Sequence, residues 1–469
     1  MTFDSRSLPS FIDEEKIESV IAATAKPDAV RVREILAKAR EAKGLDADET
    51  ATLLQLKNDE LDHELFTTAK AVKQKIYGSR MVLFAPLYIT NECYNRCAYC
   101  GFNAENGDLQ RRTLSEDEIR AEVEVLERLG HKRLLLVYGE HPRLDADWMA
   151  KTIQVVYDTV SEKSGEIRRV NINCAPQSVE GFKKLHDVSI GTYQCFQETY
   201  HQATYQKAHL GGPKKDYLWR LYAMHRAMEA GIDDVGMGPL LGLYDHKFEI
   251  LAMMQHAADL EKHFGVGPHT ISFPRLEPAL NAEMAFNPPY PITDHEFKRM
   301  VAVLRLAVPY TGLILSTREN AQMRRELLEL GVSQISAGSR TYPGAYSDPS
   351  YDRPDVQQFC VGDNRSLDEV IAELVSLGYL PSWCTACYRL GRTGEHFMEL
   401  AKKGFIQEFC HPNALLTFNE YLHDYASDVT RESGKVLVEH ELQECAEGRR
   451  GMVAERLKRI DAGERDLYI

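Results

Sequence analysis

Residues 87–106 read LYITNECYNRCAYCGFNAEN, and three cysteines in this stretch, Cys93, Cys97 and Cys100, have C-x3-C-x2-C spacing. The stretch overlaps the end of an apolar run, Val82 to Tyr88, which predicts a buried strand. Three thiolates on one tight loop can hold three corners of a cubic [4Fe-4S] cluster and leave one iron without a protein ligand. Structural zinc needs four ligands, and no fourth cysteine or histidine lies near this loop. The stretch therefore predicts an iron–sulfur site just after a strand.

The pattern that begins with this strand repeats along the chain. Short apolar runs alternate with amphipathic stretches as far as about residue 340, which is typical of strand–helix units and a parallel sheet. Ser115 and Glu118 form a capping box, and Gly130 ends the helix that follows. Eight units predict the α/β class and a (β/α)8 TIM barrel, in which functional groups gather at the carboxyl ends of the strands. The predicted strands are Val82–Tyr88, Arg133–Tyr138, Arg168–Asn173, Gly191–Phe196, Asp233–Met237, Thr270–Phe273, Gly312–Ser316 and Ser333–Ser336.

Two regions that flank the barrel have a different pattern. Residues 1–78 carry apolar side chains such as Ile17 and Val20 at helical spacing, which predicts a helical N-terminal extension. Residues 79–340 form the predicted barrel. Residues 341–469 are predicted to be a small, mainly helical C-terminal domain, entered through a segment rich in Pro, Asp, Ser and Gly.

Composition and charge exclude several classes of protein. The 469 residues are 44% hydrophobic and 27% charged, which is ordinary for a folded globular protein. Lys plus Arg number 56 and Asp plus Glu 70, so the net charge is -14, and no basic block of the kind that binds nucleic acid is present. The N-terminus lacks a signal-peptide core, and no apolar run approaches a membrane span. We expect a cytoplasmic protein that binds neither nucleic acid nor membrane.

The ten cysteines are too few for a disulfide scaffold in a chain of this length, and the cytosol would keep them reduced. Six of them fall into two close-spaced triplets, which suggests metal binding. The isolated ones are predicted to serve packing, and they are Cys174, Cys195, Cys360 and Cys445.

The second triplet lies near the C-terminus. Cys384, Cys387 and Cys410 have C-x2-C-x22-C spacing, and His411 follows directly. Three thiolates again predict an iron–sulfur cluster with an open iron. The alternative is a zinc site that an adjacent residue such as His411 completes.

The first triplet and its surroundings resemble the radical S-adenosylmethionine (SAM) superfamily. There the same spacing follows the first barrel strand, with an aromatic residue, here Tyr99, just before the last cysteine. The resemblance implies that SAM chelates the open iron and that its reduction gives methionine and a 5′-deoxyadenosyl radical. Gly139 and Glu140 are similar to the Gly-Gly-Glu segment that binds the SAM ammonium group, although Tyr138 replaces one glycine.

Two further residues are candidates for SAM binding. Asn173 and Glu198 fall at predicted strand ends, where this superfamily binds SAM. The alternative for both is an ordinary polar residue on the rim of the barrel.

Nearly the whole chain resembles the tyrosine lyases of the ThiH/HydG family, and the second triplet is similar to the branch that matures [FeFe]-hydrogenase. The resemblance rests on FQETYHQATY (196–205), GIDDVGMG (231–238), GVGPHTISFPR (265–275), LILSTREN (313–320) and CTACYRLGRTGEHFM (384–398). It implies that L-tyrosine is cleaved to p-cresol and dehydroglycine. It also implies that an auxiliary [4Fe-4S] cluster, with an additional iron carrying free L-cysteine, then yields carbon monoxide and cyanide as an iron precursor for the hydrogenase.

The same resemblance implies partners and roles for several residues. A reductant such as flavodoxin or ferredoxin and other hydrogenase maturases are the implied protein partners. Tyr88, Arg318 and Ser336 should face the SAM end of the barrel and clamp the amino acid, because a guanidinium binds a carboxylate through two hydrogen bonds. The alternative for Arg318 is a surface ion pair with Glu319.

His269 precedes the sixth predicted strand and therefore lies at the opposite end of the barrel. A neutral imidazole is a good iron ligand, and the resemblance implies that His269 binds the additional iron. A structural, hydrogen-bonded histidine is the alternative, in which case His411 is the next candidate for the iron.

Two rival functions remain open. One is a tyrosine lyase that supplies dehydroglycine for thiamin thiazole synthesis. Detection of carbon monoxide would distinguish the hydrogenase-maturing lyase from this rival. The other is a non-enzymatic iron–sulfur or zinc scaffold, which formation of 5′-deoxyadenosine would dismiss.

Overall fold

A closed barrel of eight parallel strands forms the centre of the molecule. The computed structural model describes residues 3–162, 165–348, 357–402 and 406–469. Neighbouring strands pair in sequence order, and the last pairs with the first to close the barrel. This confirms the predicted (β/α)8 fold. The barrel strands are β1 (Arg80–Thr90), β2 (Arg133–Tyr138), β3 (Arg169–Asn173), β4 (Tyr193–Gln194), β5 (Val235–Met237), β6 (Thr270–Ser272), β7 (Gly312–Leu315) and β8 (Gln334–Ser336).

A ninth strand, which the sequence pattern did not predict, joins the same sheet. This strand, β9 (Leu380–Ser382), runs parallel to the first residues of β1, with Arg80 opposite Leu380 and Val82 opposite Ser382. The first triplet follows the carboxyl end of β1, whereas Cys384 follows β9 at the amino end. The two triplets therefore lie at opposite ends of the barrel.

Four helices precede the barrel, as the N-terminal apolar spacing predicts. Each begins at an Asp or Asn whose side chain accepts a hydrogen bond from a backbone N–H of the first turn, the usual way to satisfy those donors. Their apolar faces join the main hydrophobic core. They are α1 (Glu14–Ala23), α2 (Ala29–Ala39), α3 (Ala47–Leu54) and α4 (Asp59–Tyr77).

The helices between the barrel strands begin with the predicted capping box. Ser115 accepts from the Glu118 N–H, the Glu118 carboxylate accepts from the Ser115 N–H, and the chain leaves the helix through Gly130 at φ +97°. The helices of this region are α5 (Glu116–Arg128), α6 (Ala146–Asp158), α7 (Val179–Asp187), α8 (Gln202–Ala208), α9 (Tyr217–Leu221), α10 (Ala223–Glu229), α11 (His246–Phe264), α12 (Glu283–Phe286), α13 (Asp294–Ala307) and α14 (Ala321–Leu330).

The C-terminal region is mainly helical, as predicted, and a π-helical turn, Ile406–Cys410, carries the last cysteine of the second triplet. Within the described residues, no helix is both long enough and apolar enough to span a membrane. The helices here are α15 (Leu367–Ser376), α16 (Ala386–Arg389), α17 (Gly394–Lys402), α18 (His411–Asp424), α19 (Asp428–Glu444) and α20 (Glu447–Asp461).

Candidate functional site

The first triplet lines a cavity of about 210 Å³ at the carboxyl ends of the strands, called here the carboxyl-end cavity. Hydrogen bonds to the second strand hold the loop in place. The backbone N–H of Tyr94 donates to the Glu140 carbonyl at 3.0 Å, and Asn95 Nδ2 donates to Glu140 Oε2 at 2.5 Å. Asn95 Nδ2 also lies 3.6 Å from Cys93 Sγ. One amide therefore links the cysteine loop to the predicted SAM-binding glutamate.

The three thiols suit an iron–sulfur cluster better than a single ion. Burial raises the pKa of Cys97 to about 12 and also raises the pKa of Cys100, so a cationic core is needed to hold them as thiolates. Tetrahedral zinc, with bonds of about 2.3 Å, would draw its sulfur ligands to within about 4 Å of one another. Among the described residues, neither cysteine triplet belongs to the groups whose ligand atoms all lie within 4.8 Å of one another.

The departure from the Gly-Gly-Glu segment leaves the cavity open. The Tyr138 hydroxyl bonds to Thr152 Oγ1 at 2.9 Å and its ring packs edge-on against Trp148, both on helix α6. The Tyr138 side chain therefore packs against the helix layer. Gly139 is needed for space, because a Cβ there would lie 2.3 Å from the Glu92 carbonyl oxygen.

Glu140, Asn173 and Glu198 all line the carboxyl-end cavity. Glu198 is 8% exposed and has φ +69°, which is unusual for a residue with a side chain. Lys214 Nζ donates to Glu198 Oε1 at 2.6 Å and Arg220 lies 3.5 Å away. Burial opposes ionisation, but these two cations outweigh it and hold the pKa of Glu198 below its usual range. The carboxylate is therefore charged and fixed.

Tyr99 faces the same cavity, and its hydroxyl is held by a histidine. His209 Nδ1 lies 2.8 Å from the Tyr205 carbonyl, and Nε2 lies 2.8 Å from the Tyr99 hydroxyl. Burial lowers the pKa of His209 well below its ordinary value. The neutral ring therefore donates from Nδ1 and accepts a hydrogen bond from the Tyr99 hydroxyl at Nε2, which fixes the Tyr99 ring beside the cysteine loop.

The predicted substrate residues Tyr88, Arg318 and Ser336 meet in the carboxyl-end cavity. The Arg318 guanidinium lies 3.3 Å from the centre of the Phe359 ring. Glu319, the alternative partner of Arg318, is instead buried and bonded to Arg275, so the proposed surface ion pair is not formed. The cation is left facing the cavity.

Gln358, which the sequence analysis did not identify, contacts both the cysteine loop and one of the predicted substrate residues. Its Oε1 accepts from the Tyr88 hydroxyl at 2.7 Å, and its Nε2 lies 3.9 Å from Cys100 Sγ. Its carbonyl accepts from the Gly101 N–H at 3.3 Å. No sequence pattern predicts the role of Gln358, because it lies 258 positions after Cys100 and comes close to it only when the chain is folded.

The second triplet lines a smaller cavity at the amino ends of the strands, called here the amino-end cavity. Cys387 donates a hydrogen bond to Cys410, and nearby arginines add positive charge, so the pKa of Cys410 falls to about 6. Burial raises the pKa of Cys384 to about 11. A metal core would remove the remaining protons. The other polar residues of the lining include Arg80, Arg133, Arg392, His269 and Tyr388.

His269 shares the amino-end cavity with the three cysteines, whereas His411 is absent from the lining that the structure describes. His269 Nδ1 lies 3.5 Å from Asp234 Oδ1, and Nε2 lies 3.2 Å from the Tyr388 hydroxyl. His411 Nε2 instead lies 3.3 Å from both the backbone carbonyl and a carboxylate oxygen of Glu441. This placement favours His269 as the candidate metal ligand.

The two cavities lie at opposite ends of the barrel interior and have no lining residue in common among those that the structure describes. On each of four strands, inward side chains two residues apart line one cavity and then the other. Two glycines, Gly236 and Gly312, lie near the layer between the cavities. A Cβ at either would meet a neighbouring side-chain atom within 2.6 Å, so there is no room for a larger residue at these positions. The amino-end and carboxyl-end residues are, in pairs, Val82 and Phe84, Arg133 and Leu135, Gly312 and Ile314, and Gln334 and Ser336.

The isolated cysteines divide into two kinds. Cys174, Cys195 and Cys445 are buried, as a packing role predicts. Cys360 is exposed, so the packing interpretation is wrong for this residue. It follows Phe359 in the segment that covers Arg318.

Comparison with protein families finds two matches. The radical SAM superfamily matches residues 87–257, and the biotin and thiamin synthesis associated domain matches residues 272–380. Among curated proteins, the 2-iminoacetate synthase of Salmonella typhimurium is 31% identical over 360 residues, which cover 76% of this chain and 92% of that protein.

Two solved structures are similar over nearly the whole chain. The crystal structure of HydG, a maturase of the [FeFe]-hydrogenase, is 49% identical with a TM-score of 0.95 and covers 98% of this chain and 100% of its own. HydG from Carboxydothermus hydrogenoformans is 41% identical with a TM-score of 0.82, covering 95% and 97%. The similarity therefore includes the C-terminal region that carries the second triplet.

Proposed function

Since this chain belongs to the radical SAM family that contains 2-iminoacetate synthase and HydG, we propose that it is a tyrosine lyase that matures [FeFe]-hydrogenase. L-Tyrosine is split at the carboxyl-end cavity into p-cresol and dehydroglycine, which is 2-iminoacetate. The fragment is then converted at the amino-end cavity into carbon monoxide and cyanide. Dehydroglycine contains the atoms of carbon monoxide, hydrogen cyanide and water, so its breakdown needs no external oxidant.

At the carboxyl-end cavity, Cys93, Cys97 and Cys100 would hold a [4Fe-4S] cluster that binds SAM. Together the two cofactors would supply a 5′-deoxyadenosyl radical. The cavity residues orient SAM, with Glu140 accepting from its ammonium group. Asn173 and Glu198 contact the rest of the cofactor. The ion pair of Glu198 with Lys214 keeps that carboxylate in place before SAM arrives.

Tyrosine is held beside SAM by the second group of residues in this cavity. Arg318 binds the carboxylate through two hydrogen bonds, and Ser336 contacts the amino group. Burial raises the pKa of Tyr88, so its hydroxyl remains protonated and donates to Gln358 Oε1. Gln358 fixes the orientation of that hydroxyl, because its own amide is held by the cysteine loop.

At the amino-end cavity, Cys384, Cys387 and Cys410 would hold the auxiliary cluster. His269 would be the protein ligand of the additional iron, which would also carry free L-cysteine. Asp234 orients the His269 ring through Nδ1, in the way that carboxylates orient metal-bound histidines elsewhere. The product is an iron precursor with carbon monoxide and cyanide ligands, delivered to other maturases.

One observation carries this proposal. The two cysteine triplets line cavities at the two ends of the same barrel, so the chain offers one site for each of the two reactions, and the fragment of five heavy atoms is proposed to pass between them through the barrel. A packed barrel centre, which is usual for this fold, would separate the two sites. The inner layer of the amino-end cavity is tight, because a Cβ at Gly312 would lie 2.6 Å from Gln334 Nε2, so passage requires side chains such as Gln334 to move.

The proposal is tested with anaerobically reconstituted protein, SAM, tyrosine and a reductant such as flavodoxin. Unmodified protein should form 5′-deoxyadenosine, p-cresol and carbon monoxide, the last captured by deoxyhaemoglobin. Cys97→Ala should form none of them, whereas Cys387→Ala should keep deoxyadenosine and p-cresol and lose carbon monoxide. Carbon monoxide from Cys387→Ala at the unmodified level would overturn the assignment of two sites.

A second candidate function is supply of 2-iminoacetate for thiazole synthesis, favoured by the 31% identity to the Salmonella typhimurium enzyme. That match spans 76% of this chain, whereas the HydG structure spans 98%. Formation of p-cresol without carbon monoxide by fully loaded protein would support this second function. Absence of deoxyadenosine would leave a metal-carrying scaffold as the remaining interpretation.

A further inference from the structure

Two histidines and one aspartate meet in the helix layer of the barrel, apart from both cavities. His225 lies on α10, and Asp259 and His263 lie four residues apart on α11, so these last two share one face of the helix. Ligand atoms of the three residues lie within 4.8 Å of one another. None of the three lines the carboxyl-end or the amino-end cavity. The group is called here the His-Asp-His cluster.

The Asp259 carboxylate contacts both imidazole rings. His225 Nε2 lies 2.9 Å from Asp259 Oδ2, and His263 Nδ1 lies 3.4 Å from the same oxygen. Around a tetrahedral zinc ion, nitrogen and oxygen ligands are separated by about 3.4 Å. His263 Nδ1 also lies 2.8 Å from the Asp259 backbone carbonyl, a contact that a metal ion would replace. Small shifts of the side chains would therefore place all three donors around one ion.

No lysine or arginine of the described chain pairs with Asp259, whose ion-pair contacts are to the two histidines. His225 is 0% exposed, and burial favours the neutral imidazole, which is the form that binds metals. A second group of this kind differs, because Asp62 beside His295 accepts two hydrogen bonds of 2.7 Å from Arg299. A guanidinium already occupies that carboxylate, whereas Asp259 remains available to a cation.

The His225 ring makes a single hydrogen bond, and that bond is to the cluster. Its Nδ1 atom is buried without a partner, and the rings of Phe3 and Phe11 lie 4.9 Å and 5.2 Å from it. Buried polar groups that serve only the fold are usually satisfied. The apolar surroundings also strengthen the attraction between the carboxylate and a cation. These contacts favour a metal ligand over a structural histidine.

We propose that His225, Asp259 and His263 bind a divalent transition-metal ion such as Zn²⁺. Two imidazole nitrogens and one carboxylate oxygen are donors that suit this class of ion. Side-chain exposure rises from 0% at His225 through 14% at Asp259 to 38% at His263, so the ion enters from the His263 side, where water completes its coordination. The bound ion ties α10 to α11. The inference does not rest on the proposed function, because the cluster is separate from both cavities.

Zinc binding is measured by anaerobic equilibrium dialysis of full-length protein reconstituted with iron and sulfide, followed by analysis for zinc and iron. Filled clusters keep the cysteines of the two triplets from taking zinc. Unmodified protein should bind one zinc ion per chain in addition to its iron. Its thermal unfolding temperature should rise with zinc concentration, because an ion that binds only the folded chain stabilises it.

Variants identify the ligands. His263→Ala changes an exposed side chain and should fold normally, but it should bind zinc at least tenfold more weakly and lose the thermal shift. Asp259→Asn keeps the shape of the side chain, removes its charge and should weaken zinc to a similar extent. His295→Ala is the matched control, since it removes a histidine from a carboxylate that Arg299 already occupies, and it should bind zinc normally. Cobalt(II) at the cluster should give visible bands of nitrogen and oxygen ligation without a thiolate charge-transfer band.

Several results would overturn the inference. Unmodified protein that takes up no zinc beyond its iron would reject the site, and so would unchanged zinc affinity in both His263→Ala and Asp259→Asn. Zinc that His263→Ala retains and His269→Ala loses would place the ion in the amino-end cavity instead. Formation of deoxyadenosine, p-cresol and carbon monoxide is measured separately and tests only the proposed function, so the two can fail independently.

Discussion

Two charged side chains of the carboxyl-end cavity have opposite surroundings. Glu198 is buried but is held by Lys214 and Arg220, so its charge is balanced before any ligand binds. Arg318 is half-buried and faces the cavity with an aromatic ring as its neighbour. Fixed charge next to an unbalanced guanidinium is the arrangement expected where an anionic substrate group must dock.

At the residue scale, Arg318 gives a prediction about substrate binding. Arg318→Ala should raise the tyrosine KM for p-cresol release about ten- to hundredfold, because one charge-assisted contact contributes roughly 1.5 to 3 kcal/mol. Arg318→Lys keeps the charge but cannot form two parallel hydrogen bonds. Its tyrosine KM should lie between those of the unmodified protein and Arg318→Ala. An unchanged tyrosine KM in Arg318→Ala would assign the carboxylate to another group.

His269 gives a prediction about metal content at the same scale. His269→Ala should keep the second cubane, because all three thiols remain, but should lose the additional iron. The measurement is EPR for the high-spin signal of a coupled iron, with iron analysis beside it. His411→Ala is the matched control, since that ring bonds to Glu441; retention of the extra iron in His269→Ala and its loss in His411→Ala would exchange their roles.

At the scale of elements, one buried carboxylate helps to hold the segment after β8 against the barrel. Glu122 on α5 is fully buried and accepts from the Tyr346 N–H at 3.1 Å and the Ser347 N–H at 2.5 Å. The Thr341 carbonyl then accepts from the Gln358 N–H at 3.1 Å. A helix on the outside of the barrel thereby positions a residue that contacts the first triplet.

Glu122→Gln tests this coupling. The new amide places a donor against backbone donors, so we expect a stability loss of about 1–3 kcal/mol together with a several-fold rise in the tyrosine KM. Glu124→Gln on the exposed face of the same helix should change neither. Thermal unfolding and p-cresol kinetics are measured on loaded protein; a stability loss without any change in KM would mean that the segment does not position Gln358.

The elements also show which features sequence patterns can predict. Eight strands were predictable because each is an apolar run before or after a helix, although the structure ends several of them earlier, as at Gln194 and Leu315. The three-residue strand β9 contains Pro381 and has no alternating pattern, so only its pairing with β1 defines it. Cysteine spacing identified both metal candidates, whereas the contacts of Gln358 and Arg80 depend on residues far away in the chain.

At the scale of the whole molecule, the proposed route between the two cavities gives the last prediction. Gly312→Leu should fill the layer between them, because even a Cβ there would lie 2.6 Å from Gln334 Nε2. We expect p-cresol formation to continue and the ratio of carbon monoxide to p-cresol to fall at least tenfold. Gly312→Ala should have a smaller effect in the same direction, and an unchanged ratio in Gly312→Leu would mean that the fragment travels by another path.

The pairing of β9 with the start of β1 also affects how the protein is made. Arg80 and Leu380 are opposite each other in the sheet although 300 residues separate them. A chain emerges from the ribosome with its N-terminus first. The first triplet is therefore synthesised long before the C-terminal residues that complete the amino-end cavity. Contacts this distant form slowly. We therefore expect the two metal centres to mature in order, with the SAM-binding cluster inserted first and the auxiliary cluster only after synthesis of the chain is complete.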